Sequence, residues 1–423
     1  MTPTFKIYVV GGAVRDALMG LPVKDRDYVV VGATPEQMKA AGFIPVGKDF
    51  PVFLHPDTHE EYALARTERK TAPGYTGFVF HASPEVTLEQ DLQRRDLTIN
   101  AIAQDQDGTL IDPCDGQADL ANKVFRHISD AFTEDPVRIL RVARFAARFT
   151  EFVVAPQTTE LMHHMVESGE VDALVSERVW QEISRGLMEA KPSRMFGVLR
   201  ECRALRRLMP ELDSLATQSS AASFEKTMRE LDNAAQLEAT LPVRFAVITH
   251  NLPSEQLASE LCDRLKLPNE VKELALLAVR ERDLISKADA IPAADIVKLL
   301  ERCDAFRKAD RFKDLLTVHK LIHQRRHFSS ARIGAAGTDA ASMDRRNLCL
   351  SAPGFGRRAP VRRTEDAGSL CPGNLPGSLA PLTGIAKRRA YDRPTVASTH
   401  HPGTRRWNRA RSCLPARTAS RRS

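Results

Sequence analysis

No stretch of this 423-residue chain is apolar for long enough to cross a membrane, and its first residues lack the basic-then-apolar build of a secretory leader. Cysteine is sparse. The seven present are scattered, without a CxxC pair or a metal-ligand spacing, which argues against a zinc ribbon or a disulfide framework. Reduced thiols in the cytoplasm are the expected state. Aromatic residues make up only 6% of the chain, and no internal repeat is visible. Uniform charge is missing too, although the formal net charge is +7. Residues 325–423 hold 20 Lys and Arg against 5 Asp and Glu, which leaves residues 1–324 net acidic. Nucleic-acid binding by the body must therefore rest on local patches rather than on overall charge.

What is present divides by pattern. Residues 5 to about 125 read as α/β, with strands over 7–10, 28–31 and 61–65 and helices over 15–20 and 34–41. Thr34 is placed to cap the second helix, with Pro35 at its first position and Gly42 after it. Residues 104–113 read as a hairpin around an Asp-Gly turn. From about residue 130 the apolar spacing becomes helical, through 158–167, 176–190 and 193–200. A Ser/Ala-rich stretch at 214–223 suggests a boundary, and 224 to about 320 is again all helical. Beyond about residue 321, Arg pairs, Pro, Gly and Ser replace the periodicity. That tail reads either as a disordered basic extension or as a stretch translated out of frame; the second is favoured because the helices before it stop without a closing element.

Chemistry concentrates in Gly11-Gly12-Ala13-Val14-Arg15-Asp16, followed nine residues after Asp16 by Asp25-Arg26-Asp27. Two glycines after an apolar strand let the backbone approach a phosphate, and the next helix adds N–H donors. On a strand, Asp25 and Asp27 would leave the same face. Two carboxylates beside a phosphate-cradling turn suit Mg²⁺-dependent phosphoryl or nucleotidyl transfer. A second signal is Glu134-Asp135-Pro136-Val137-Arg138-Ile139-Leu140-Arg141-Val142-Ala143-Arg144. Read as one helix, it places Asp135 and Arg138 on one face, an acceptor and a donor fork that could pair with a base edge. An amphipathic helix dressed with salt bridges fits the same spacing.

In this order the motifs resemble the nucleotidyltransferase superfamily, and GGAVRD…KDRDYVVVG resembles the class II tRNA nucleotidyltransferases that add CCA to tRNA 3′ ends, above all their bacterial multifunctional form. The resemblance covers residues 5 to about 215 strongly and 224 to about 320 loosely. It implies an α+β head with a palm-like mixed sheet (1–130), an all-α neck that selects the nucleotide (131–215), a helical tRNA-binding body with a degenerate HD-like region (216–324) and the basic tail (325–423). It implies that Asp25 and Asp27 hold Mg²⁺, with a third carboxylate on a neighbouring strand: Glu61, or less favourably Glu60. Gly12, Arg15 and Arg95 would meet the triphosphate of ATP or CTP; a salt bridge to Asp16 is the other reading of Arg15. The Asp135–Arg138 pair would choose CTP and ATP without a template, and Arg141 and Arg144 would reach the triphosphate. Arg94-Arg95-Asp96-Leu97-Thr98-Ile99-Asn100-Ala101 is similar to the family's RRDFTINA motif, with Asp96 and Asn100 read as structural. Residues 66–78 would form a mobile loop, a lever for the final A addition. RNA would be gripped by shape and phosphate contacts, at patches such as 200–207.

One departure is marked. Where the multifunctional enzymes carry THDLGK of a metal-binding HD phosphohydrolase domain, this chain has Thr249-His250-Asn251-Leu252-Pro253. An amide is a poor metal ligand beside a carboxylate, and no second histidine pair stands close by in sequence, so His250 reads as a leftover helix residue and no phosphohydrolase activity is expected. Rival readings are a poly(A) polymerase, an enzyme limited to CC or A addition, and an inactive RNA-binding protein. Whether the chain is a monomer or a dimer is not encoded in any of these features.

Overall fold

A computed structural model describes residues 5–46, 52–70, 78–219 and 221–323. The whole of the basic tail lies outside these residues. Short alternating and β-branched runs build a seven-stranded mixed sheet: β1 (Lys6–Val10), β2 (Asp27–Val31), β3 (Ile44–Val46), β4 (Val52–Leu54), β5 (Glu61–Leu64), then, after the separate hairpin β6 (Arg66–Lys70) and β7 (Phe78–Ala82), β8 (Ala103–Gln104) and β9 (Leu110–Ile111). The spatial order is β3-β4-β5-β2-β1-β8-β9. Only β2 and β5 run parallel, with Asp27 opposite Glu61 and Tyr28 opposite Tyr62; the other pairings are antiparallel. Central β2 buries Val29 on one face with Tyr8, Val10 and Leu92, and Val30 on the other with Met38, Phe53 and Leu64. Both faces of the sheet are thus covered, which fixes the register, because a one-residue slip would exchange the faces.

The connections obey local chemistry. Helix α1 (Gly12–Leu18) starts directly at the glycine turn, three residues before the expected position. Helix α2 (Pro35–Ala40) is closed by a capping box in which Gln37 N–H donates to Thr34 Oγ1 at 3.2 Å and Thr34 N–H donates to Gln37 Oε1 at 2.8 Å. The expected loop at 66–78 is flanked by strands: β6 and β7 pair antiparallel, and residues 71–77 lie outside the described part.

Helices α3 (Leu88–Gln93) and α4 (Gly116–Ala121) complete the head. Strands β10 (Val124–Phe125) and β11 (Val153–Val154) then form a small parallel pair around α5 (Val137–Arg148). The remainder is helical: α6 (Pro156–Glu167), α7 (Ser176–Leu187), α8 (Ser193–Glu201), α9 (Ala204–Leu208), α10 (Pro210–Ser214), α11 (Ala221–Gln236), α12 (Leu241–His250), α13 (Glu255–Arg264), α14 (Asn269–Arg280), α15 (Arg282–Ser286), α16 (Ala293–Arg302) and α17 (Ala309–Ile322). The Ser/Ala-rich stretch contains a π-helical turn, Leu215–Ser219. One apolar cluster runs from Leu97 and Phe125, through Ile139, Phe145, Ile183 and Phe196, to Phe245, Leu274 and Leu315. Helix α5 therefore joins sheet to helices: one side is buried core, and the other, rich in arginine, faces the ends of the central strands.

Candidate active site

The ends of β1, β2 and β5 open on a cavity of about 1000 Å³ whose opposite wall is α5 and α7. Asp27 is the first residue of β2 and Glu61 the first of β5. Their register places both on one sheet face, while Tyr28 and Tyr62 stack on the other with ring centroids 4.3 Å apart. Asp25 precedes the strand rather than lying on it, yet lines the same cavity. Glu60 turns away: its Oε2 accepts from the Thr58 hydroxyl at 3.0 Å and from the Tyr28 hydroxyl at 3.4 Å. Of the two glutamates, Glu61 is the one in the cavity.

The glycine pair divides its work. Gly11 has φ +69°, and a Cβ there would stand 2.9 Å from Arg95 Nη1, so this position requires glycine. Gly12 opens α1 and lines the cavity, but a Cβ on it would meet only ordinary contacts. For Arg15 the structure supplies the salt bridge: Nε and Nη2 donate to Asp16 Oδ1 at 2.8 and 2.7 Å, and Nη1 donates to Asn100 Oδ1 at 2.6 Å. Its guanidinium, 4% exposed, lies 5.2 and 5.1 Å from the rings of Phe145 and Phe149. Arg148 donates to the other Asp16 oxygen at 2.8 Å. Arg15 thus fastens α1 to α5 while lining the cavity. Arg15→Ala is expected to destabilise the protein by about 3 kcal/mol, the usual cost of stranding one partner of a buried ion pair, as read from the urea midpoint.

The RRD motif anchors the same joint. Asp91, fully buried, accepts from Arg94 at 2.7 Å and Arg95 at 3.1 Å. Asp96 accepts from Leu97 N–H and Asn100 Nδ2 at Oδ1, and from Arg141 Nε at Oδ2, 2.8 Å away. Burial alone would raise the pKa of Asp96, but Arg141 and Asn100 outweigh it and hold the carboxyl well below its usual range. Asp96 and Asn100 therefore knit head to neck. Arg144 Nε donates to Glu182 at 2.6 Å. Because Arg141 and Arg144 spend Nε on these acids, their terminal nitrogens remain for the cavity that both residues line.

Two expectations for the second motif need correction. Asp135 does not share a helix face with Arg138, because it precedes Pro136, which pushes it into extended backbone (φ −119°, ψ 104°), and α5 starts at Val137. Arg138 lines the same cavity, but in this structure its fork is turned to the backbone. It is 6% exposed and donates to the carbonyls of Arg94 at 2.7 Å and Ala131 at 2.9 Å. The partner of Asp135 is Arg178, whose Nη1 and Nη2 donate to its two oxygens at 3.3 and 2.8 Å. Sequence reasoning missed Arg178 and Glu182. A signal existed: Arg178, Glu182, Arg185 and Glu189 recur at helical spacing through and just past α7, a polar stripe on an otherwise amphipathic helix, and all four line the cavity.

The 200–207 patch is not an unopposed basic surface. Arg203 and Arg206 pair with Glu167, Arg207 with Asp172 and Arg200 with Glu225. His250 also needs correction, for it is no isolated leftover. It ends α12 against His319 and His323, residues four apart at the end of α17. Some seventy residues of chain separate them from His250, so only the fold reveals the meeting. Asn251 donates to Thr227 Oγ1 at 2.8 Å and Glu230 Oε2 at 3.1 Å.

Residues 7–126 match the family described as the poly A polymerase head domain, and 151–215 match the probable RNA and SrmB-binding site of polymerase A. A multifunctional CCA protein of Burkholderia mallei (strain SAVP1) is 59% identical over 342 residues, covering 74% of this chain and 83% of that protein. The chain belongs to the multifunctional CCA protein family. A second member, from Herminiimonas arsenicoxydans, is 56% identical over 346 residues, with 76% and 84% covered. Among solved structures, the Bacillus stearothermophilus CCA-adding enzyme in complex with CTP superposes with a TM-score of 0.60 at 25% identity, over 80% of this chain and 78% of that one. The Thermotoga maritima CCA-adding enzyme complexed with tRNA shares the fold, with a TM-score of 0.53 at 22% identity and 84% of each chain covered. The chain joins a nucleotidyltransferase head to a helical body, and it is a CCA-adding tRNA nucleotidyltransferase by family.

Proposed function

We propose that this enzyme adds C, C and A to the 3′ end of tRNA from CTP and ATP, without a nucleic-acid template and with Mg²⁺ held by Asp25 and Asp27, assisted by Glu61. The observation that carries the reading is a contrast within one cavity. The acids Asp96, Asp135 and Glu182 there are each paired with an arginine, whereas among the described residues no hydrogen bond or ion pair engages Asp25, Asp27 or Glu61. Carboxylates that line one cavity opposite an arginine wall, without a partner among the described residues, are available to a cation. An all-oxygen donor set suits Mg²⁺.

In the reaction, the 3′-hydroxyl oxygen of the RNA forms a bond to the α-phosphorus of the nucleotide as the bond to pyrophosphate breaks. Mg²⁺ bound at the carboxylates would lower the pKa of the hydroxyl and offset charge on the leaving group. Arg95, Arg141 and Arg144 hold the triphosphate across the cavity from Asp27, so that the α-phosphorus lies between the carboxylates and the arginine wall. Arg15, locked to Asp16, and Gly11, locked in its turn, keep Gly12 N–H at the cavity rim. The helices α6 to α17 supply the surface for the tRNA acceptor arm. Exposed pairs such as Arg206–Glu167 contribute little to stability and can exchange their acid for a phosphate.

The test is incorporation of labelled CTP and ATP, with Mg²⁺, into a tRNA transcript lacking its 3′-CCA. Ordered addition of two C and one A is the expected result. Runs of A from ATP alone would move the assignment to a poly(A) polymerase, and no incorporation by folded protein would overturn the catalytic reading.

A further inference from the structure

The described residues hold one group of three side chains whose ligand atoms already stand close enough to share a metal ion. His250, His319 and His323 each offer a ring nitrogen, and these atoms all lie within 4.8 Å of one another. His250 comes from the end of α12, His319 from the last turn of α17, and His323 is the residue that closes that helix. The His250 and His319 rings meet edge to face with centroids 5.0 Å apart, and the His319 and His323 rings are nearly parallel, 14° between planes. His250 is 5% exposed and His319 not exposed at all, yet neither ring nitrogen of either residue reaches a hydrogen-bond partner. Four buried and unpartnered ring nitrogens are an unusual expense for a protein core.

We propose that His250, His319 and His323 form a site for a late first-row divalent ion, of the Zn²⁺ class, that clamps α17 onto α12. Three imidazoles suit Zn²⁺, Co²⁺ or Ni²⁺ and not Mg²⁺, so the site and the carboxylate cavity would sort two metals by donor type. A shift of well under 2 Å per side chain would bring nitrogens 4.8 Å apart to a common ion, about 2.0–2.1 Å from each. His323, only partly buried, gives the approach from solvent, and the fourth position is left to water. The donor set differs from a His-Asp pair: Asn251 commits its amide nitrogen to Thr227 and Glu230, and two new imidazoles come from α17. The inference is independent of the nucleotidyltransferase reading.

The experiment uses the full chain, stripped with EDTA, desalted and titrated with Zn²⁺ alone. One Zn²⁺ per chain by elemental analysis, a rise in Tm with Zn²⁺ and a tetrahedral absorption spectrum with Co²⁺ are expected. His323→Gln, at the partly exposed end of α17, should fold normally by circular dichroism and weaken Zn²⁺ binding by at least the roughly 10–100-fold that loss of even a supporting contact to a metal ligand costs. It should leave Mg²⁺-dependent nucleotide incorporation unchanged. His319→Gln should do the same to Zn²⁺ binding and to the Co²⁺ spectrum. Wild-type protein that takes up no Zn²⁺ would overturn the proposal. So would an unchanged stoichiometry and Co²⁺ spectrum in both variants, which would move the ion to other histidines such as His400 and His401.

Discussion

Asp27→Ala is expected to lower incorporation of C and A together by about a thousandfold or more, with no loss of stability. The size follows from the chemistry: a metal that neutralises charge on a transferring phosphoryl group supplies several kcal/mol, and each 1.36 kcal/mol is tenfold in rate. That the fold should survive follows from position. Asp27 is exposed at the start of β2, its backbone rather than its carboxylate holds the register with Val10 and Glu61, and among the described residues no cation pairs with it. Rates for CTP and ATP, set beside urea unfolding in EDTA, therefore separate a metal ligand from a structural residue. A variant that retains activity within tenfold would refute the role, as would one that loses activity and stability in parallel. Asp25→Ala should behave in the same way, and Glu61→Ala less severely, as befits an assisting carboxylate.

The head was legible because its signals are local. The turn at Gly11, the Thr34 cap and the apolar runs of β1 and β2 each act within a few residues, so spacing alone carries them. What escaped was non-local or hinged on one residue. Pro136 overrides the helical spacing of the Asp135 motif by forcing its predecessor into extended backbone, and periodicity does not register that veto. Arg178 finds Asp135 across 43 residues, and His319 finds His250 across the body, through packing of whole helices. The Arg15 alternatives were both visible in the sequence. Burial between Phe145 and Phe149 gave the guanidinium to Asp16 and Asn100, because a buried charge must be paired where it lies. The arginines of α5 were found by their spacing but not ranked by it: Arg138 is consumed by carbonyls, while Arg141 and Arg144 keep terminal nitrogens for a ligand.

On the proposed function, the Arg178 fork paired with Asp135 is the arrangement to test for base selection, and the expected result is specific. Asp135→Asn should lower the preference for CTP and ATP over UTP and GTP by roughly 10–100-fold, the discrimination one bidentate pairing with a base provides. Asparagine is the cleaner change. It keeps an oxygen to accept from Val137 N–H, now 3.1 Å from Asp135 Oδ1, so the start of α5 stays capped, yet it turns one acceptor into a donor facing Arg178 and the cavity. The Arg178 fork then loses its counter-charge and its orientation, and an incoming base loses its fixed pattern of donors and acceptors. Mg²⁺ dependence should not move, since Asp25, Asp27 and Glu61 stand on the sheet and not on this pair. Arg178→Ala should relax selectivity by a similar factor, whereas Arg138→Ala should cost stability first, by stranding the carbonyls of Arg94 and Ala131. The comparison is kcat/KM for all four nucleotides on one tRNA transcript, alongside urea midpoints. Equal loss for every nucleotide in Asp135→Asn, with the fold preserved, would make the residue a part of the general machinery. Unchanged selectivity would reduce it to a cap on α5.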